Sequence, residues 1–367
     1  MAGAASVSAM SDAVDRDEPA HRGTPPAPEG IDAERVTAWF AANVPGVRPP
    51  LEFSLITGGH SNLTFEVRDA AGRRWVLRRP PLGHVLETAH DMRREFRVIS
   101  ALGATRVPVP PAVGLCEDES VNGAPFYVMD FVEGLVVRDP GVAGQLTIEE
   151  RKSVSDSLVE VLAAIHAVDV DEVGLGDLGR REGYIERQLN RWYKQWNQSK
   201  TRELEAIDEV YSLLSSSVPD QGPATIVHGD YRLDNCIVRD GRVVAVLDWE
   251  ICTLGDPLAD VGLLMVYWGD PSSGAPTVPG APTSVEGFAS RGELLERYSK
   301  VSGRSVDGID YYVAFGYWKL ACIVEGVYAR YLAGAMGKRA DGDFSPFKMY
   351  VEAMADAALK SARQVLG

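Results

Sequence analysis

The sequence predicts an α+β protein in two parts, a small mainly-β part followed by a larger mainly-α one, and three observations carry that expectation. The segment LEFSLITGGHSNLTFEVRDAAGRRWVLRRP, residues 51–80, alternates apolar and polar residues and breaks at glycines, the pattern of half-buried hairpin strands. Beyond Thr147 apolar residues recur instead at helical spacing over long stretches. At 367 residues and 45% hydrophobic, the chain is long enough to bury the cores of two lobes or domains.

Residues 1–30 are polar and Pro-rich, with no periodic apolar pattern, and read as a disordered tail. The small lobe is expected over 31–134 and the large one over 135–367. In the small lobe Leu63, Phe65 and Val67 share one strand face, a turn falls near Ala71-Gly72, and a second strand runs through Trp75 and Leu77. The turn Gly58-Gly59-His60-Ser61-Asn62 offers flexible backbone amides that could approach phosphates, or it is an ordinary hairpin turn. DMRREFRVISAL spaces Met92, Phe96, Ile99 and Leu102 as a helix, with Glu95 beside that stripe. FYVMDFVEG is an apolar strand ending at Gly134.

In the large lobe Thr147 and Glu150 form a capping box ahead of a helix running to about His166, whose imidazole is expected to be packed. The segment 179–200 is basic and aromatic. Ile185, Leu189, Trp192 and Trp196 lie on one helical face with Arg187, Arg191 and Lys194 around it, so it is either a core-packed helix or a wall that attracts an anion. Residues 269–284 are too rich in Pro, Gly and Ser for regular structure and are expected as a flap or a linker. Tyr311 to Ala335 follows as a long helix carrying Phe315, Trp318, Cys322 and Ile323 on its apolar side, and Ser345-Pro346 opens the last one.

The chemistry is concentrated in TIVHGDYRLDNCIVRDGRVVAVLDWE, residues 225–250. Ile226 and Val227 end an apolar run, the HGD turn follows, and Cys236, Ile237 and Val238 begin a strand that turns at Asp240-Gly241 into VVAVLD. Asp230, Asn235 and Asp248 are expected at one edge of this arrangement. They are the minimum set for phosphoryl transfer: a carboxylate to orient and deprotonate a hydroxyl, and oxygen donors to hold magnesium on phosphates. The alternative is that a polar loop needs Asp, Asn and Gly simply to turn.

HGDxxxxN followed by a hydrophobic residue and Asp-Trp-Glu resembles the aminoglycoside phosphotransferase family, with the spacing of the protein-kinase-like superfamily. The resemblance implies a two-lobed protein-kinase-like fold, ATP and Mg2+ as cofactors, and transfer of the γ-phosphoryl group to a hydroxyl of a small molecule. By position, Asp230 would be the catalytic base with His228 bracing its loop, and Asn235 and Asp248 the metal ligands. Asp260 would clamp the loop backbone, Asp256 would cap a helix, and Glu250 would assist the metal or be a solvated acid. The nucleotide would meet Gly58, Gly59, Ser61 and Asn62, the Arg78–Glu95 pair, Met129, and the backbone of Asp130 and Val132 at the hinge. Arg78 departs from the family's lysine: it keeps the charge, but it is planar and never neutral.

SNLTF, VLRRPP, AHDMRREF, HGDYRLDN and TLGDPLAD together are most similar to kinase-like domains found beside, or fused to, acyl-CoA dehydrogenases. That subgroup implies a hydroxyacyl-CoA or hydroxy acid as acceptor and a functional link to an acyl-CoA dehydrogenase. An aminoglycoside or amino-alcohol kinase is the second reading, and a nucleotide-binding pseudokinase partner of the dehydrogenase the third.

Composition narrows the classes further. A net charge of −15 disfavours nonspecific nucleic-acid or anionic-membrane binding and would suit a cationic substrate. Cys116, Cys236, Cys252 and Cys322 are far apart without a CxxC pair, which points to reduced thiols in a cytoplasm. No signal-peptide pattern, long apolar span, GxxxxGK[ST] or GxSxG is present.

Overall fold

The computed structural model describes residues 27–56, 62–82, 91–274, 278–334 and 344–366. The chain divides into two units, each described by itself: one is made of the residues up to Glu133 together with Ala245–Glu250, the other of Gly134–Val244 and the residues from Ile251 on.

The smaller unit is built on a five-stranded sheet. Its elements are α1 (Ala33–Asn43), β1 (Leu51–Leu55), β2 (Leu63–Asp69), β3 (Arg74–Arg79), α2 (Met92–Leu102), β4 (Ala112–Cys116), α3 (Glu119–Asn122) and β5 (Phe126–Asp130). Neighbouring strands pair antiparallel in the order β1-β2-β3-β5-β4. The register sets Phe65 opposite Leu77 and Val67 opposite Trp75, so the expected alternation lands on one face. That face packs on Val36 and Phe40 of α1 as the unit's core. β3 departs from simple alternation, because its second face is covered as well and Arg78 and Arg79 are buried along with the apolar residues Trp75–Leu77 before them. Gly72 turns β2 into β3 with a φ of 82°.

The larger unit is mostly helical. It contains α4 (Pro140–Ala143), α5 (Ile148–His166), α6 (Tyr184–Ser199), α7 (Glu205–Ser216), β6 (Thr225–Val227), β7 (Cys236–Arg239), β8 (Arg242–Val246), β9 (Thr253–Gly255), α8 (Pro257–Tyr267), α9 (Arg291–Ser302), α10 (Ile309–Leu332) and α11 (Ser345–Leu366). The last residues of β8 belong with the smaller unit. The expected capping box opens α5: Thr147 Oγ1 accepts from the Glu150 amide and the Glu150 carboxylate from the Thr147 amide. Asp240 and Gly241 both take positive φ, 51° and 70°, which makes the β7–β8 connection a tight hairpin turn. β6 pairs antiparallel with β9, so the chain leaving β6 runs beside the residues that enter β9, and α8, which follows β9, packs back against β6.

α10 is the central helix and packs on α6, α7, α8 and α11. It is buried on nearly all sides, a wider apolar surface than the single stripe expected from Phe315, Trp318 and Cys322. The crossing with α8 is closest at Gly262, where a Cβ would stand 2.5 Å from the carbonyl carbon of Tyr312. Backbone cannot withdraw as a side chain can. Gly262→Ala is therefore expected to destabilise the protein by about 1–3 kcal/mol, read as a lowered thermal midpoint; an unchanged midpoint would show that the two helices are not in this contact.

Candidate active site

The larger unit holds the loop after β6. His228 is fully buried, and its Nδ1 accepts from the Asp230 amide at 3.3 Å, so it braces the turn that presents Asp230. Gly229 between them takes a φ of 85°, a conformation that suits glycine alone here, since a Cβ would also press on Ile251 at 3.1 Å. Asp260, in the first turn of α8, is the expected clamp: Oδ2 accepts from the His228 amide at 2.7 Å and Oδ1 from the Gly229 amide at 2.8 Å. Asp256 caps α8 through the Leu258 amide and also accepts from the Tyr312 hydroxyl.

Asp230 is brought together with Asn235. The amide nitrogen of Asn235 donates to the Asp230 carbonyl at 2.9 Å and to its Oδ2 at 3.0 Å. This spends the NH2 group on the loop and leaves the amide oxygen as the donor the residue can offer a metal. Arg232, which the spacing argument passed over, stands 3.3 Å from Asp230 Oδ2 through Nε and 3.1 Å from Asp234 through Nη2, and stacks over Tyr267.

Burial alone would raise the Asp260 pKa, but the His166 hydrogen bond and charge, the His228 charge and the Gly229 amide outweigh it and hold it below the ordinary value. A folded pKa below the unfolded one means the stabilisation is complete above the unfolded value and is lost as pH falls through the folded one. His166, expected to be packed, is buried between Tyr298 and Asp260. Asp260→Asn is expected to cost about 3 kcal/mol near neutral pH, with the gap to wild type closing in acid below pH about 4; denaturation at both pH values checks it, and a gap constant with pH would contradict the charged clamp.

A cavity of about 280 Å³ opens beside Asp230 in the same unit. Its walls are mainly apolar, with Trp192, Leu263, Ile323, Val327 and Phe347 among them, and the charges on it among the described residues are Arg138, Arg232 and Lys319 against Asp230 and Asp234. Of the two readings of the basic helix α6, the core-packed one holds. Ile185, Leu189 and Trp196 are core, and of that helix only Trp192 reaches the cavity, so its arginines do not form the wall. The Pro/Gly/Ser-rich segment is more built than its composition suggests: Thr283 Oγ1 ties its end to the Gly269 amide at 2.7 Å, Pro282–Ser284 form a 3-10 turn, and Val278–Thr283 line the cavity. Lys319 carried no motif. The signal available was a single lysine inside the apolar-aromatic run AFGYWKLACIV.

The smaller unit holds a second cluster. Arg78 on β3 hydrogen-bonds through Nη2 to Asp248 Oδ1, in a contact closer than usual. Its Nε lies 3.2 Å from Glu95 Oε2 but off the hydrogen-bonding direction, so the Arg78–Glu95 attraction is Coulombic. Glu95 is itself buried on α2, inside the stripe rather than beside it, while Phe96 is only half-buried. Its carboxylate accepts from Asn62 Nδ2 at 2.8 Å and from the Tyr127 hydroxyl at 3.0 Å. Burial raises the Glu95 pKa and Arg78 only partly offsets it; burial opposes the Arg78 charge too, but its acidic neighbours push that pKa up. Asn62 Nδ2 also donates to Glu250 Oε2 at 3.2 Å, and Glu250 lies 3.9 Å from Arg78. Asp248 takes a φ of 64°, a strained conformation for a residue with a side chain. Met129 is buried on β5 and Asp130 closes that strand, with Val132 in the irregular stretch beyond. Gly58, Gly59 and Ser61 lie outside the described residues.

Residues 52–282 match the model of the phosphotransferase enzyme family, well over half of the chain. The chain belongs to that family. Its members are small-molecule phosphotransferases, the class of enzyme the motif spacing implied. A mouse protein named acyl-CoA dehydrogenase family member 10 is 38% identical over 291 residues, covering 78% of this chain and 27% of that protein. This agrees with the expected subgroup. The chain spans less than half the length of the curated relatives it matches here. Among solved structures, a Ralstonia eutropha protein provisionally named an aminoglycoside phosphotransferase is 33% identical with a TM-score of 0.77, covering 91% of this chain and 98% of that one. A ternary complex of streptomycin, ATP and the enzyme APH(2")-IIa is 16% identical with a TM-score of 0.55, over 80% of this chain and 90% of that one, and shares the kinase-like fold. No helix among the described residues is long and apolar enough to cross a membrane.

Proposed function

We propose that the chain is an ATP- and Mg2+-dependent phosphotransferase that moves the γ-phosphoryl group to a hydroxyl of a hydroxyacyl-CoA or related hydroxy acid. The observation that carries the acceptor class is the cavity beside Asp230: mainly apolar walls with, among the described residues, three cationic side chains against two carboxylates, one of which, Asp234, is already paired with Arg232. Such a lining suits an acyl chain bearing oxygen anions or carbonyls. It suits a polycationic amino sugar poorly, because each ammonium would need an acidic partner.

Asp230 takes the proton of the acceptor hydroxyl while that oxygen bonds to the γ-phosphorus and the bond to the β-phosphate bridge oxygen breaks. Asn235 and Arg232 hold the Asp230 carboxylate through Oδ2, so its direction is set before the acceptor arrives. Asn235 and Asp248 are the proposed magnesium ligands. Their donors are hard oxygens, and around Asp248 one guanidinium meets the carboxylates of Glu95, Asp248 and Glu250, an excess of acids that favours a divalent cation. Magnesium, when bound, screens the phosphate charge. Arg78 is then the phosphate-facing cation in place of a lysine, and backbone groups of Asp130 and Val132 meet the adenine. The four buried free cysteines suit a reducing compartment such as the cytoplasm, and the acyl-CoA dehydrogenase relatives suggest a dehydrogenase as functional partner.

One observation favours the pseudokinase as second reading: Arg78 already engages the Asp248 oxygen that a metal would use. Two variants separate the readings. With a hydroxyacyl-CoA as acceptor, Asp230→Asn is expected to cut turnover by ~10²-fold or more while Mg-ATP affinity stays near wild type; unimpaired turnover would remove Asp230 as the base. Asp248→Ala should abolish the magnesium dependence of ATP binding measured by calorimetry, and retained dependence would take Asp248 out of the metal site.

A further inference from the structure

Among the buried carboxylates and ammonium groups described in the larger unit, Lys319 has the fewest hydrogen-bond partners. Asp260 and Glu325 are each met by several donors, including a histidine or an arginine. Lys319 is equally enclosed, 4% exposed in the middle of α10, yet among the described residues no carboxylate pairs with it. Its Nζ donates to one acceptor, the Gly229 carbonyl at 3.0 Å, and faces the Trp192 ring at 5.8 Å. An ammonium has three donors, and burying it short of partners is costly, so a methionine of similar length would pack there at lower cost. Lys319 also lines the cavity on which Asp230 opens. The unspent donors belong to a group that can approach a filled site, and the tie to Gly229 keeps them on the peptide that precedes the base.

We propose that Lys319 determines acceptor specificity, its ammonium binding a carbonyl or carboxylate oxygen that the acceptor carries near the hydroxyl to be phosphorylated. The proposal rests on the reading of the cavity as the acceptor site. Burial weakens the ammonium form, and the nearby charges of Asp230 and Asp260 partly restore it, so the oxygen is met by a cation held in place before binding. The same charge repels an acceptor that carries an ammonium beside its hydroxyl, which is a second means of discrimination at no cost to the first.

The test compares wild type, K319M and K319R at saturating Mg-ATP with three acceptors of one chain length: a hydroxyacyl-CoA thioester, the free hydroxy acid, and a secondary alcohol with no second oxygen. Wild type is expected to prefer an oxygen-bearing acceptor over the alcohol by about 10- to 100-fold in kcat/KM, the range of a hydrogen bond to a charged group. In K319M that ratio collapses through KM, with Mg-ATP affinity retained, and K319R recovers part of it. Loss confined to the thioester identifies a carbonyl as the bound oxygen, and loss confined to the acid identifies a carboxylate. Equal losses on all three acceptors would show a structural role and overturn the proposal. So would a wild-type enzyme that takes the alcohol as readily as the others, a result that needs no variant to fold. A wild type that phosphorylates none of the three overturns the acceptor reading itself, and the specificity role with it.

Discussion

Gly229 is held on both sides by buried opposite charges, and the rest of the larger unit's site depends on that arrangement. Its N–H donates to the Asp260 carboxylate and its carbonyl accepts from the Lys319 ammonium. The two groups belong to successive peptide planes joined at the Gly229 Cα, so the two charges together fix both of its dihedral angles. The positive φ of Gly229 then directs the next residue, Asp230, toward Asn235 and Arg232. α8 supplies the anion and α10 the cation, which links the loop geometry to the packing of those two helices at Gly262.

The smaller unit solves a different problem with a similar device. Arg78 lies on a strand covered on both faces, and an unpaired guanidinium there would be expensive. Glu95, Asp248 and Glu250 surround it, and Asn62 and Tyr127 hold the Glu95 carboxylate in turn. The planar guanidinium reaches two carboxylates at once through Nε and Nη2, which a lysine could do only from a single nitrogen.

Much of this was legible in the letters, because motif residues are fixed by local geometry. HGDxxxxN needs one turn and one short 3-10 segment, and Leu233–Asn235 form that segment, carrying Asn235 back onto Asp230. The Asp240-Gly241 hairpin and the Thr147 capping box are likewise short-range signals, whereas the Asp260 clamp reaches amides 31 and 32 positions away and came from the family resemblance. What stayed hidden was set by long-range packing. Glu95 reads as a residue beside its helix's apolar stripe, and the approach of Arg78, Asn62 and Tyr127 makes a buried position tolerable for it. The cations of α6 are conspicuous in sequence, yet the cavity takes its charge from Arg138, Arg232 and a solitary lysine on a helix 127 positions after Trp192, at Lys319. Residues 269–284 read as unstructured, but the Thr283 hydroxyl and the Gly269 amide close the segment into a wall.

The central claim is that phosphate moves from ATP to the hydroxyl of an oxygen-bearing acyl acceptor, and the most direct measurement follows the label. The protein would be incubated with Mg2+ and ATP carrying 18O in its γ-phosphoryl group, against hydroxyacyl-CoAs, free hydroxy acids, aminoglycosides and amino alcohols in separate reactions, with product masses read directly. A phosphorylated hydroxyacyl or hydroxy-acid product carrying the label, without phosphorylated amino sugars, is the result this account predicts. Labelled product only from the amino sugars or amino alcohols, or ATP binding with no labelled product in any reaction, would contradict it.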